Sequence, residues 1–320
     1  MIPYPIYIVN PFVRENAFLT MSPETEPPPD FETGRPLLPV PFWEGHGDEI
    51  KCYWKVWELA FNNTFRPSAE NGFVSNYIDT AFNKHLFMWD SAFILMFTRY
   101  GKAAFDAQRT LDNLYCKQHP DGFICREIDE ATGLDMFERF HPASTGPNTL
   151  AWTEWEYYLN FADRDRLARI FPVLAAYHQW LRVNRTWKDG GYWSSGWGVG
   201  MDNQPRIPDG GHSGRFEDQD QLRWWSHTHM TWVDVCLQQL LNARLLVAIA
   251  GEIGRSDEAD DFQAEVDSLT GLVNQALWDD KTAFYFDQFR DGTLSTVKSI
   301  GGFWALIAGI VPKDRLPCRA

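Results

Sequence analysis

The glycine-rich stretch GWGVGMDNQPR, residues 196–206, carries the side chains best suited to catalysis. Its three glycines disfavour a helix or a strand and let the backbone approach a neighbouring group closely. Asp202 follows them, and a partly apolar setting would raise the pKa of its carboxyl, as a general acid requires. The structural alternative is an Asx turn or a helix N-cap, which Asp forms often in such loops. Four further candidate binding residues lie in or near the stretch: Trp193, Trp197, Asn203 and Arg206.

A second candidate is Asp90 in the run HLFMWDSAF, where it follows an apolar stretch and precedes a helical pattern. Asp is a favourable N-cap, so a purely structural role is one interpretation. The functional interpretation is a carboxylate that accepts hydrogen bonds from sugar hydroxyls, with Trp89 as a stacking wall. One residue can hold both roles.

A third group consists of Arg126 and Glu127, which precede a loop rich in Pro, Ser, Thr and Gly at 140–149. Polar groups presented between loops and helix starts suit a neutral ligand. Glu154 and Glu156, on the helix that follows, are equally consistent with solvated positions.

The run HTHMTWVDVCLQQ contributes Asp234 and two histidines, His227 and His229. Side chains at i and i+2 of a helix point to different sides, so we expect no zinc site here and no cofactor elsewhere. Asp234 lies among apolar residues, where an acid needs a partner. We interpret it as an inner-wall residue that ties loops or a sugar together.

These residues fit sugar hydrolysis, which uses one protonated carboxyl and one carboxylate on opposite sides of the scissile bond. The sequence contains no P-loop, no G-x-S-x-G elbow and no G-x-G-x-x-G between a strand and a helix. A sugar epimerase or a polysaccharide lyase needs a His or Tyr base near the sugar. His227 and His229 could supply such a base, so these two enzyme classes remain alternatives.

Composition points to a neutral sugar rather than an anionic partner. The net charge of −14 disfavours nucleic acid and anionic membranes. Aromatic residues make up 15% of the chain and include 15 Trp, whose rings fill cores and also stack on sugars. Five scattered cysteines and an N-terminus without a charged leader pattern favour a cytoplasmic location.

Hydrophobic periodicity predicts the organisation of the chain. Residues 1–45 are Pro-rich and indicate an extended arm or a linker, and residues 46–320 form the predicted body. Apolar residues recur at helical spacing in about eight segments, and a long loop-rich region spans 187–224. We therefore predict an all-α fold with long loops on one face.

Taken together, these stretches resemble glycoside hydrolase family 63 and the trehalase-like clan. SGWGVGMDNQPR resembles the clan's acid-bearing motif, FMWDSAF its Trp-Asp motif, and WVDVCLQQLLNARLLVAIAGEIG the helix after the acid. LWDD and GGFWALIAGIVP also fit, in the same order. The resemblance implies an (α/α)6 toroid and an inverting hydrolase of α-linked glucosides or mannosides, on an oligosaccharide or small glycoside substrate. It makes Asp202 the general acid and places Trp89, Asp90, Arg206 and Asp234 at the sugar pocket.

The chain departs from this family pattern at its end. The family's base is a Glu from the last part of the toroid, and no Glu up to Ala320 matches it. About eight predicted helices also fall short of the twelve of a closed toroid. We therefore expect a partial toroid, with the base beyond residue 320 or the missing hairpins supplied by another chain. The alternative is a non-catalytic carbohydrate-binding remnant of such an enzyme.

Overall fold

The structure, a computed structural model, describes residues 9–201, 206 and 227–316 of the 320-residue chain. It is mostly helical, so the predicted all-α class is confirmed. The α-helices are α1 (Phe31–Gly34), α2 (Gly47–Asn62), α3 (Met88–Thr98), α4 (Asp112–Tyr115), α5 (Leu150–Phe161), α6 (Arg164–Asn184), α7 (Val233–Ile253), α8 (Asp260–Ala276) and α9 (Trp304–Ile307).

Short antiparallel strand pairs join the helices. The strands are β1 (Thr64–Phe65), β2 (Tyr77–Ile78), β3 (His85–Phe87), β4 (Glu127–Asp129), β5 (Met230–Thr231), β6 (Trp278–Asp279), β7 (Phe284–Tyr285) and β8 (Gln288–Phe289). They pair as β1–β2, β3–β4, β5–β8 and β6–β7. Two of these strands, β3 and β5, come directly before the helices α3 and α7.

The segment before α2 lies on the helical body. Short 3-10 turns at Pro11–Glu15 and Ala17–Thr20 alternate with extended stretches. Phe18 is buried in the core, and the Asn16 amide donates to the Tyr115 carbonyl at 3.0 Å. These contacts anchor the first part of the Pro-rich segment.

The helix boundaries follow local capping signals. The Asp163 side chain accepts a hydrogen bond from the Arg166 amide at 2.9 Å, so α6 begins directly after it. Ala162, with φ of 52°, makes the tight turn between α5 and α6. Gly254, with φ of 80°, ends α7 in the left-handed conformation that glycine tolerates. Consecutive helices thus form hairpins, α5 with α6 and α7 with α8.

The core lies where α6, α7 and α8 pack together. Helix α7 is long and apolar enough to cross a membrane by length and composition, but most of it is buried within the protein. Leu237, Leu240 and Leu246 are fully buried in the main hydrophobic cluster. A helix that is apolar on most of its faces is expected at such a central position.

The N-terminal ends of α3, α5, α7 and α9 gather at one end of the body. The ring of Trp152 in α5 contacts Phe93 of α3 and Trp304 of α9, with ring centres 6.4 and 6.0 Å apart. Gly301, just before α9, packs on Asp234 in the first turn of α7. This end carries the loops that hold the predicted site.

Two predicted elements differ from the observed ones. The helical pattern of the run SHTHMTWVDVCLQQ predicts a helix from residue 226. The observed helix begins only at Val233, because Met230 and Thr231 pair with β8 instead. Thr228 and His229 have positive φ values, so the His-x-His pair lies on a turn and not on a helix. Apolar and polar residues partly alternate in the run FYFDQF at 284–289, a pattern typical of strands, and this run contains β7 and β8.

Candidate active site

The glycine-rich loop packs directly on the start of α3. Gly200 has φ of 69°, and a Cβ atom there would lie 2.6 Å from Trp89 Cε2 and 3.0 Å from Pro147 Cγ. No side chain fits in that space, and the backbone conformation also favours glycine. The loop therefore reaches Trp89 and the 140–149 loop together.

Gly198 fixes the same loop from its other side. A Cβ atom there would lie 2.7 Å from Ser194 Oγ and 3.1 Å from the Thr145 carbonyl oxygen. The Gly198 amide donates to Ser195 Oγ at 3.0 Å. Close backbone approach thus holds the loop against 140–149, as the glycine pattern predicted.

Asp90 lies in the first turn of α3, whose N-cap is Phe87. The N-cap interpretation is therefore wrong, because Asp90 lies three residues inside the helix. Its side chain is half-buried, and burial raises the pKa of the carboxyl, with Glu127 adding and with Arg126 and the residue's own backbone amide opposing. Trp89 beside it is also half-buried. Both side chains retain the partial exposure that a ligand contact requires.

Arg126 and Glu127 reach the same place through the β3–β4 ladder. Phe87 pairs with Glu127, and the Met88 amide donates to the Arg126 carbonyl at 2.8 Å. Arg126 Nε donates to the Ala143 carbonyl at 2.7 Å. This pairing positions both residues beside the first turn of α3.

Glu127 is held by His85 on one side and by Arg126 on the other. Its Oε1 lies 2.6 Å from His85 Nδ1, and its Oε2 lies 3.4 Å from Arg126 Nη2. The guanidinium of Arg126 also lies 4.7 Å from the ring centre of Phe137. The Arg126 guanidinium and the Glu127 carboxyl are both close enough to Asp90 to affect its pKa. The structure therefore brings these three predicted residues together.

Arg206 forms buried salt bridges with Asp234 in α7 and with Asp287, the residue directly before β8. We call these three residues the Arg206 clamp. Nη1 and Nη2 donate to the two oxygens of Asp234 at 2.7 Å each. Nε and Nη2 donate to Asp287 at 2.9 and 3.1 Å. The guanidinium also stacks over Trp232 at 4.5 Å. Arg206 and Asp234 are 1% and 0% exposed, which makes them positioning groups in this structure; contact with a sugar stays a prediction.

The electrostatics of this clamp are unusual because two carboxylates share one guanidinium. Burial raises the pKa of Asp234 to about 6, with Asp287 adding and Arg206 opposing. Asp287 also accepts a hydrogen bond from the Val233 amide at 2.8 Å, at the start of α7. Sequence reasoning missed Asp287; the one signal was an acid inside the apolar run FYFDQF.

Trp193 lies three residues before the glycine-rich stretch, and Trp197 is its second residue. Both side chains are half-buried. Arg185 lies 4.8 Å from the ring centre of Trp193, and the Trp193 amide donates to the Arg185 carbonyl at 2.9 Å. Trp197 begins the 3-10 turn Trp197–Val199. Asp202 and Asn203 lie outside the described residues, so their assignments stay predictions.

Glu154, in contrast, takes no part in this arrangement. It is buried and accepts hydrogen bonds from Arg166 Nε at 2.7 Å and from the Tyr115 hydroxyl at 2.9 Å. Arg166 also donates to Asp112 at 3.0 Å. The interpretation of Glu154 as a solvated side chain is wrong, and its role is structural.

Comparison with known proteins decides the family. The model of the mannosylglycerate hydrolase MGH1-like glycoside hydrolase domain matches residues 83–317. The chain belongs to this family. The matched range includes each of the site stretches above, which confirms the resemblance to family 63 and its clan.

Two curated relatives and one solved structure are similar to this chain. A mannosylglycerate hydrolase of Thermus thermophilus is 29% identical over 71% of this chain and 68% of its own length. An uncharacterised protein of Borreliella burgdorferi is 21% identical over 71% of this chain, which spans 43% of that protein. The family 63 mannosylglycerate hydrolase from another strain of Thermus thermophilus, crystallised with glucose, has a TM-score of 0.59 at 21% identity, covering 81% of this chain and 73% of that one. This likeness confirms the (α/α)6 fold class.

Proposed function

We propose that this MGH1-like chain is an inverting glycosidase for an α-linked glucoside or mannoside, with Asp202 as general acid. The observation that carries the proposal is the convergence of the predicted stretches. Gly200 packs on Trp89 and Pro147, and β4 places Arg126 and Glu127 beside Asp90. These contacts bring residues far apart in sequence to one loop-rich end of the helices.

The chemistry assigned to Asp202 is proton donation. Its protonated carboxyl gives the proton to the glycosidic oxygen as the bond from that oxygen to the anomeric carbon breaks. Water adds to the anomeric carbon from the opposite face and loses its proton to a second carboxylate, roughly 6.5–9.5 Å from the first.

The half-buried residues supply recognition of a neutral sugar. The indoles of Trp89 and Trp197 are suited to the apolar face of a sugar ring. Asp90 and Glu127 are acceptors for hydroxyl groups, and Arg126 is a donor. The Thermus relatives were crystallised with glucose and with D-glycerate, so a hexose joined to glycerate is the first substrate to test.

The test compares the full chain with its Asp202→Asn variant. Asn forms Asx turns and N-caps as well as Asp does, so this change keeps a structural role and removes the acid. Asp209→Asn, in the same loop-rich stretch, is the matched control. We expect hydrolysis of mannosylglycerate, glucosylglycerate or an aryl α-glucoside to fall by at least about 100-fold in Asp202→Asn alone.

Two outcomes would contradict the proposal. Full turnover by Asp202→Asn would remove Asp202 as the acid. Sugar binding by calorimetry, without hydrolysis by the unsubstituted chain, would support a non-catalytic carbohydrate-binding protein instead.

A further inference from the structure

A small enclosed cavity lies behind the glycine-rich loop, between that loop and the first turns of α7. Its volume, measured as the space open to the centre of a water molecule, is about 10 Å³. The walls come from the 145–148 segment, from Leu181 and Arg185 at the end of α6, from residues 192–198 and from one face of α7. The polar lining residues include Asn148, Arg185, Tyr192, Ser194, Gln238 and Gln239.

Five buried polar atoms belong to this lining. Four of them, Asn148 Oδ1, Arg185 Nε, Ser194 Oγ and Gln238 Nε2, have no hydrogen-bonding partner among the described residues. The fifth, Gln239 Nε2, has only the Tyr192 hydroxyl as a neighbouring acceptor. The residues that carry them are between 1% and 7% exposed. Buried polar groups are normally paired, so this concentration of unpaired atoms around one cavity needs a ligand.

The set contains both donors and acceptors. The two glutamine amides and the guanidinium donate, the Asn148 oxygen accepts, and the Ser194 hydroxyl does either. The opposite ends of two of these amides are already fixed, because Asn148 Nδ2 donates to Gln239 Oε1 at 2.7 Å. A molecule that accepts and donates at once satisfies this set better than an ion of either sign.

We propose that this cavity binds one ordered water molecule. The room matches a single water, and the lining offers more than the two to four polar partners that a buried water uses. The cavity shares one lining residue, Trp193, with the candidate sugar-binding residues. The water proposal stands whether or not the chain hydrolyses a glycoside.

The water joins three segments that position the candidate active site. Ser194 lies four residues before Gly198, Asn148 lies just before α5, and Gln238 lies in α7. A bridge between them restrains the loop that packs on Trp89. Ser194 and Gln238 are therefore positioning residues and have no part in chemistry.

The first test is a crystal structure of the full chain at about 1.6 Å resolution or better. We expect one ordered water within about 3.2 Å of at least three of the five atoms. A dry cavity would overturn the proposal, as would side chains that have turned to pair with one another and fill the space.

The second test replaces one donor by an apolar side chain of similar length, Gln238→Met. Hydrogen exchange at the Gly198 and Val199 amides is expected to become about tenfold faster, because the loop loses its bridge. Gln108→Met is the matched control, since Gln108 is also buried with an unpaired amide but lies away from this cavity.

Unchanged exchange at Gly198 in a folded Gln238→Met variant would overturn the positioning role. If that variant does not fold, Ser194→Ala carries the same expectation with a smaller change in volume. Equal acceleration in Gln108→Met would also overturn the role, because it would show a general loosening rather than loss of this bridge.

Discussion

Gly200 lies against Trp89 so closely that a Cβ atom at position 200 would be 2.6 Å from the indole. This contact joins the loop that carries the candidate acid to the helix that carries the candidate sugar-binding residues. The same Cβ atom would lie 3.0 Å from Pro147 Cγ, so three separate segments meet at one glycine. The position of the whole site depends on that contact.

Gly200→Ala should therefore disrupt the site. The substitution introduces both the collision with Trp89 and the strain of a positive φ, and we expect a loss of about 1–3 kcal/mol in unfolding free energy. Gly190→Ala separates the two effects, because Gly190 has φ of 85° with open space around its Cα. Denaturant unfolding measures the stability of both variants, and titration calorimetry measures their affinity for the sugar. Equal losses of binding in the two variants would contradict a special role for the Trp89 contact.

Removing the guanidinium of Arg206 should destabilise the fold strongly. Arg206→Met leaves the carboxylates of Asp234 and Asp287 buried without their cation, and breaking a buried pair costs about 3–5 kcal/mol. Arg255→Met is the control, since Arg255 is partly exposed in its pairs with Glu15 and Glu258 and is expected to contribute about 1 kcal/mol or less. Urea unfolding of both variants checks the contrast, and similar losses would rule out the clamp as a major source of stability.

The pKa of Asp234 predicts a specific pH dependence. The value rises from about 3.9 in the unfolded chain to about 6 in the fold, so the folded chain binds the extra proton between these pH values. Its stabilising contribution is complete below about pH 4 and is lost as the pH rises through about 6. The unfolding free energy of the unsubstituted chain, minus that of Asp234→Asn, should therefore become larger as the pH falls from about 7 to about 5.

Asp279→Asn is the control for this titration. Hydrogen bonds from Thr282 lower the pKa of Asp279, so its contribution does not change between about pH 7 and about pH 5. A pH-independent difference for Asp234→Asn, equal to that of the control, would show that the clamp holds no extra proton in this range.

Asp90→Asn should weaken sugar binding while it leaves the fold intact. Burial already favours the neutral form of this carboxyl, so an uncharged amide at the same place is tolerated. We expect about tenfold weaker binding of the glycoside, the equivalent of one hydrogen bond. Titration calorimetry measures the affinity, with Asp48→Asn on the exposed face of α2 as the control. Unaltered affinity would remove Asp90 from the sugar site.

The sequence predicted those parts of the site whose signal is local. The glycine spacing in 196–200 indicates close backbone approach, and the structure shows that approach at Gly198 and Gly200. The pairing of Trp89 and Asp90 at the start of a helix was likewise visible as a short motif. Such features depend on neighbouring residue types, which a single sequence displays.

The parts that the sequence did not reveal depend on partners far along the chain. Asp287 lies just before a two-residue strand and is the second carboxyl bound to Arg206. The surrounding run FYFDQF shows an acid among apolar residues but does not identify Arg206 as its partner. Glu154 resembled a solvated residue because its buried partners, Arg166 and Tyr115, come from other elements. The late start of α7 has the same origin, since pairing of β5 with β8 overrides the local helical pattern.

The most direct measurement is a crystal structure of the full chain with a sulfur-linked α-glycoside that resists hydrolysis. The account predicts the carboxyl of Asp202 within about 2.6–3.2 Å of the linking sulfur or of a water bound to it, with the sugar ring against Trp89 or Trp197. An Asp202 carboxyl that faces bulk solvent, or a sugar bound away from these indoles, would contradict it.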